Sequence, residues 1–159
     1  MIHIIDNFLP EEEFNSIQCL MMGGNFKWFY CDGRATHDDG NYLMIHMFFQ
    51  PDGGSNSEHI DIWNNFMSKI GAKECKRIKA NLTFKTPTIE PGSFHIDYPA
   101  MKTIVYYINT NNGYTEFENG VRVESVSNRA CIFDSNFEHR GVGHTLPDPN
   151  RIVVNFNYA

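Results

Sequence analysis

Cysteine is sparse in this chain, long apolar runs are missing and positive charge is in deficit, and each shortage closes off a class of protein. The four cysteines, Cys19, Cys31, Cys75 and Cys131, are scattered, with no C-x-x-C pair. A chain of 159 residues folds without disulfide staples, so a reducing cytoplasm is the expected location. No stretch approaches the roughly 18 consecutive apolar residues of a membrane span. The start, Met1-Ile-His-Ile-Ile-Asp6, lacks the basic segment and long apolar run of a secretory signal. No membrane partner is therefore expected. A formal net charge of -6 supplies no field to draw in phosphate backbones, which disfavours nucleic acid as a partner. Repeats, linkers and low-complexity tracts are also missing, so residues 1–159 are expected to form a single domain.

What is present is the composition of a folded soluble protein, 42% hydrophobic and 14% aromatic against 20% charged. Ile2–Ile5 reads as a strand. Pro10–Met22 reads as a helix: proline suits the first turn, Glu11, Glu12 and Glu13 favour the positive helix start, and Phe14, Ile17, Leu20 and Met21 share one face. Gly23-Gly24 ends it. A second helix is expected over Ser57–Ile70, with Ile60, Trp63, Phe66, Met67 and Ile70 at the helical period and Gly71 as a left-handed stop. Between the two, Phe26–Gln50 reads as a loop or hairpin followed by a strand. Beyond Lys76 the pattern changes to short β-like runs: Arg77–Lys85, Ser93–Asp97, Thr103–Asn109, Thr115–Glu118, Val121–Val126, Ala130–Asp134 and Arg151–Tyr158. Turn clusters separate them, Asn119-Gly120 being a strong hairpin signal. Strands at this spacing predict a mainly β sandwich or jelly roll, with the helices as supports.

The chemistry concentrates in that β-rich part. His95 and Asp97 stand two residues apart in an expected strand end, where i and i+2 side chains leave on the same face and can converge on one ion. His139 lies at the exit of the apolar run Ala130–Phe133, just before a glycine-rich turn. Two histidines and one carboxylate leave three positions open, the arrangement in which non-haem iron(II) sites bind a cosubstrate and O₂ together. Alone, a His-x-Asp pair is more often a surface ion pair or a cap, and a single strand-end histidine more often bonds to backbone. The order of these residues, with a β-rich stretch between and Arg151 opening the last apolar strand, favours the metal. A planar fork of donors at that place suits a carboxylate.

In that order, His95-x-Asp97, Val105-Tyr-Tyr-Ile-Asn109, Asn112-Gly-Tyr-Thr-Glu-Phe117, Arg129-Ala-Cys-Ile-Phe133, His139-Arg-Gly141 and Arg151-Ile-Val-Val-Asn155 resemble the Fe(II)- and 2-oxoglutarate-dependent oxygenases of the prolyl 4-hydroxylase-like class. The opening Ile4-Ile-Asp-Asn-Phe-Leu-Pro10 is similar to that of compact members found in bacteriophage genomes, which would place the protein in a host cytoplasm. The resemblance implies a double-stranded β-helix with iron in its open mouth, held by His95, Asp97 and His139. It implies that 2-oxoglutarate chelates the iron, and that Arg151 and the Tyr107 hydroxyl take its distal carboxylate. The cosubstrate and O₂ would give succinate and CO₂, and a substrate C–H bond would become C–OH.

Two departures from the pattern stand out. The interval from His139 to Arg151 is long, because Gly143-His-Thr-Leu-Pro-Asp-Pro-Asn150 inserts a turn-rich segment, read as a mobile surface loop whose His144 competes for the third-ligand role. Asn112 and Asn128 stand where relatives often have glycine, which asparagine's tolerance of left-handed angles allows. By analogy the expected substrate is a protein prolyl or other peptidyl residue. The alternatives are a nucleic-acid demethylase or nucleobase oxidase, disfavoured by the acidic charge and the lack of a second arginine after Arg151, and a cupin-like binding module without turnover. Substrate contacts are expected from Trp28, Tyr30, Arg34, His37, His46 and Tyr98. The plainer reading makes Trp28 and Phe48 core aromatics and His37 and His46 surface polar groups.

Overall fold

The computed structural model of the protein describes residues 1–33, 42–55 and 57–159. Arg34 and His37 fall outside the described residues. The N-terminal part carries β1 (His3–Ile5), α1 (Glu11–Met22), β2 (Phe29–Asp32), β3 (Tyr42–Gln50), β4 (Gly54–Ser55) and α2 (Asn64–Ile70). The rest is β5 (Cys75–Phe84), β6 (Lys102–Tyr107), β7 (Tyr114–Phe117), β8 (Arg122–Glu124), β9 (Arg129–Asp134), β10 (His139–Val142) and β11 (Asn150–Tyr158). The larger sheet is ordered β1-β9-β6-β11-β5-β3-β2, with β4 on β3, and the smaller is β10-β7-β8. No helix among the described residues is long and apolar enough to cross a membrane.

Period-2 alternation gives the larger sheet two unlike faces. Outward, Ile78, Ala80 and Leu82 of β5, Ile104 and Tyr106 of β6, Ala130 of β9 and Ile152, Val154, Phe156 and Tyr158 of β11 join Phe14, Ile17 and Met21 of α1 and Phe66 of α2 in one apolar cluster. Phe66 stacks on Phe156 with ring centroids 4.2 Å apart. Inward, Val105, Tyr107, Cys131, Phe133 and Val153 meet Phe117 and Val123 of the smaller sheet. Two sheets face to face around this second cluster make the jelly roll. Asn128, in the left-handed region at φ 60°, clamps the N-terminal segment to it. It exchanges hydrogen bonds of 2.9 Å with both backbone groups of Leu9 and accepts the Tyr106 hydroxyl at 2.7 Å.

Three sequence expectations are corrected. Ser93–Asp97 is no regular strand; it pairs with β10 through a single bridge, His95–His139, and a second bridge, Pro91–Val142, lies just before it, where Pro91 has no N–H to give. The second helix begins late. A 3-10 turn over Ile60–Trp63 precedes α2, while the Ser57 hydroxyl accepts from the His59 N–H at 3.1 Å and bonds His46 instead of capping a helix. Third, the segment after Gly143 is a surface loop at its tip but is anchored at its base. The Asn112 carboxamide accepts the Thr145 and Leu146 N–H groups at 2.9 and 3.0 Å, the His144 carbonyl accepts the Thr86 N–H, and His144 is fully buried. Asn112 serves as this anchor and not through a left-handed backbone, which the chain adopts at Asn128 but not at Asn112.

Candidate metal centre

His139 opens β10 instead of trailing the preceding strand, so the smaller sheet fixes its direction. The backbones of His95 and His139 exchange two hydrogen bonds of 3.0 Å, which sets the imidazoles side by side with ring centroids 4.7 Å apart. Each ring donates Nδ1–H to a carbonyl two residues back, His95 to Ser93 at 3.1 Å and His139 to Phe137 at 3.0 Å. Both Nε2 lone pairs are thereby turned toward Asp97 and left available. One donor atom from each of His95, Asp97 and His139 lies within 4.8 Å of the others, and they are the one such cluster of metal-ligating side chains among the described residues.

Asp97 is held more tightly than a surface carboxylate. Its Oδ1 accepts from Arg77 at 3.1 Å and its Oδ2 from Asn157 at 3.0 Å and Thr103 at 3.2 Å. Burial alone would raise its pKa, but the Arg77 guanidinium, the Asn157 amide and the two imidazoles outweigh burial and hold the carboxyl below its ordinary range. For His139, burial is the largest influence and depresses its pKa, Asp97 and the Phe137 carbonyl opposing it only in part. The pair therefore presents one anionic and one neutral donor at neutral pH, the states that a divalent cation requires. Two imidazole nitrogens with a fixed carboxylate fit a resident iron(II) ion.

Beside the triad opens a cavity of about 300 Å³. Its wall is the inward face of β5 and β11: Arg77, Lys79, Asn81 and Thr83 against Arg151, Val153 and Asn155. Arg151, only 5% exposed, donates from Nε to the Ser125 hydroxyl at 2.9 Å and holds its guanidinium 5.8 Å from the Tyr107 ring centroid. A Cβ on Gly113 would stand 2.8 Å from Arg151 Cδ and 2.9 Å from the Val142 carbonyl, so only glycine lets this side chain pass. Tyr107 is fully buried and does not line the cavity; its hydroxyl donates to Thr115 Oγ1 at 2.7 Å, and Thr115 is a wall residue.

The structure thus brings His95, Asp97, His139, Arg151 and Tyr98 to one cavity and leaves other expected residues outside it. His144 forms no part of the triad; its ring donates to the Asp148 carbonyl at 3.0 Å. His46 is buried among Phe26, Phe48 and His59, donating to the Lys27 carbonyl and accepting from Ser57, both at 2.7 Å. It is neither a surface group nor a cavity group. Phe48 is fully buried, Trp28 packs half-buried on the outer cluster, and Tyr30 lies exposed, stacked on Tyr42. Sequence reasoning missed Arg77, Lys79, Thr103, Ser125 and Asn157. A trace existed in β11, where asparagines at 155 and 157 share the phase of Arg151 and break an otherwise apolar strand.

No protein-family model matches the sequence, and no curated protein does. Solved structures do match in shape. A prolyl hydroxylase of Trichoplax adhaerens, in complex with a hypoxia inducible factor oxygen degradation domain peptide fragment, shares 16% identity over 99% of this chain and 82% of its own, with a TM-score of 0.69. An oxidoreductase of the 2OG-Fe(II) oxygenase family from Burkholderia pseudomallei shares 10% identity over 99% and 84%, with a TM-score of 0.70. A Pseudomonas putida prolyl-4-hydroxylase shares 15% over 99% and 91%, with a TM-score of 0.68. At these identities the likeness establishes the fold, and what the fold does here is argued from the site.

Proposed function

We propose that the protein is an Fe(II)- and 2-oxoglutarate-dependent dioxygenase that hydroxylates a C–H bond of an amino acid unit, prolyl and other peptidyl residues being the class by analogy. The carrying observation is the meeting of His95, Asp97 and His139 beside a cavity whose wall holds a buried arginine. The solved prolyl hydroxylases of the same fold support the substrate class.

His95 and His139 would hold the ion through Nε2, their Nδ1–H bonds fixing tautomer and ring direction. Asp97 would be the anionic ligand, kept ionised and aimed by Arg77, Asn157 and Thr103. When bound, iron(II) supplies the redox chemistry that couples O₂ to oxidative decarboxylation of 2-oxoglutarate and to substrate hydroxylation. Arg151 would take the distal carboxylate of the cosubstrate, with Ser125 fixing its Nε and Tyr107 beneath its guanidinium. Tyr107 would act at one remove, by aiming the Thr115 hydroxyl. Val105 and Val153 keep that part of the cavity apolar, which strengthens a charge pair there.

Anaerobic titration with Fe(II) and then 2-oxoglutarate tests this reading. A weak visible charge-transfer band, and succinate release once O₂ is admitted, are the expected results. Metal binding without band or succinate would leave a cupin-like binding module in its place.

A further inference from the structure

The cavity wall carries more positive charge than the proposed chemistry uses. With metal and cosubstrate in place, the two positive charges of the ion, Asp97, the doubly negative 2-oxoglutarate and Arg151 cancel. Arg77 and Lys79 remain. Arg77 is engaged by Asp97, by the Asn157 side-chain Oδ1 at 3.0 Å and by the Tyr98 ring. Lys79 is different: half-buried in the wall, its ammonium makes no hydrogen bond or ion pair with a described residue. Burial first, and then Arg77, hold its pKa below the ordinary lysine value, while Cys31 and Asp97 pull the other way. An ammonium so placed costs stability unless something else answers it.

Its neighbours narrow what that is. Lys79 stands directly across from Asn155, and Asn81 lies next along the same face. Asn81 Oδ1, Asn155 Oδ1 and Thr83 Oγ1 are all buried wall atoms without a hydrogen-bond partner among the described residues. Three acceptor atoms and one cation that no described residue answers suit a ligand that brings N–H donors together with a negative charge. A pyrrolidine ring, apolar and neutral, answers none of these groups.

Resting on the oxygenase reading above, we infer that the substrate group lodged beside the metal is a carboxylate-bearing amino acid unit, its carboxylate paired with Lys79 and its amide or amine N–H groups taken by Asn81 and Asn155. An acidic residue within a peptide and a free acidic amino acid share this chemistry.

The test uses full-length protein loaded with Mn(II) and saturated with 2-oxoglutarate. Blocked N-acetyl N-methylamides of aspartate, glutamate, asparagine and proline are added in turn, together with free aspartate and glutamate, and paramagnetic broadening of the probe protons reports binding near the metal. The acidic probes should bind at least about tenfold more tightly than the asparagine and proline probes, because a charge-assisted bond replaces a neutral one. Preference for blocked over free forms identifies a peptide, and the reverse a free amino acid. Lys79→Met should abolish the acidic preference, Lys79→Arg should keep it, and 2-oxoglutarate affinity should move by less than about threefold in both, since Arg151 carries that charge pair. Equal binding of neutral and acidic probes, or no broadening of any acidic probe, overturns the inference. So does a Lys79→Met variant that loosens 2-oxoglutarate as much as the acidic probes, which would give Lys79 to the cosubstrate. The oxygenase reading fails separately: acidic probes that bind a protein releasing no succinate with Fe(II) would uphold the subsite and remove the enzyme.

Discussion

Strands β5 and β11 have two faces built from alternate residues of the same run, and the two faces obey opposite rules. Outward, Ile78, Ala80, Leu82, Ile152, Val154 and Phe156 fill a cluster with aromatic rings from both helices. Inward, Arg77, Lys79, Asn81, Thr83, Arg151, Asn155 and Asn157 line or flank a hollow. The outward face answers to packing alone, where each apolar group removed from water adds stability. The inward face holds cations together with acceptors unmet by any described residue, groups that a packed interior would exclude and that a bound ligand would complete. Stability and function are thus separated by a single residue's step along a strand.

Breaking the inward face at the metal should have the largest effect. His139→Ala is expected to abolish turnover and most metal binding. His144→Ala, five positions on, should leave metal affinity within a few-fold, as metal content and succinate release measured side by side would check. On the outward face, Phe66→Ala should cost about 3–5 kcal/mol of stability in denaturant unfolding, since Phe66 is fully buried against Phe156, Phe8 and Tyr106. The variant that remains folded should bind metal normally. Arg151→Ala should weaken 2-oxoglutarate binding by about 2–5 kcal/mol and leave metal affinity intact. Loss of both together would mean that Arg151 holds the fold.

Smaller effects sharpen the boundary between the faces. Asn128→Ala removes the partners of Leu9 and Tyr106 and should destabilise by about 1–3 kcal/mol through groups left buried and unmet. The mildest change is with pH. Burial holds the pKa of His46 below the ordinary value of 6.5, although the Lys27 carbonyl opposes it. Above that value both folded and unfolded states keep the ring neutral, and its contribution to stability is complete. As pH falls below it the unfolded chain takes the proton first, so stability declines down through the folded-state pKa. His46→Gln should flatten that part of a stability-against-pH curve without altering metal binding.

The outward face was legible in the sequence because packing writes itself as periodicity. The helix over Glu11–Met22, the strands β5, β6, β9 and β11, and the Asn119-Gly120 turn follow the hydrophobic pattern and the turn chemistry directly. The meeting of His95, Asp97 and His139 was legible for a different reason, the spacing and order of rare residue types. What failed lay where neither signal operates. β10 is four residues long and includes Gly141, so no alternation marks it, and His139 read as a strand exit. His144 looked mobile among prolines and glycines, yet a single side chain, Asn112, anchors that segment from 33 residues away in sequence. His46 read as surface polarity or as a substrate contact because nothing local shows that Ser57 and the Lys27 carbonyl will meet both its ring nitrogens. Arg77 and Lys79 were hidden in a strand whose inward phase resembles the solvated face of any half-buried strand.

The central claim, that the inward face is a metal and 2-oxoglutarate site and not a polar surface folded inward, is tested most directly by one spectrum. Anaerobic wild-type protein with Fe(II) should develop a visible charge-transfer band on adding 2-oxoglutarate, and Arg151→Ala should require far more cosubstrate to reach the same band. No band in the wild type, with His95, Asp97 and His139 intact and iron bound, would contradict the account.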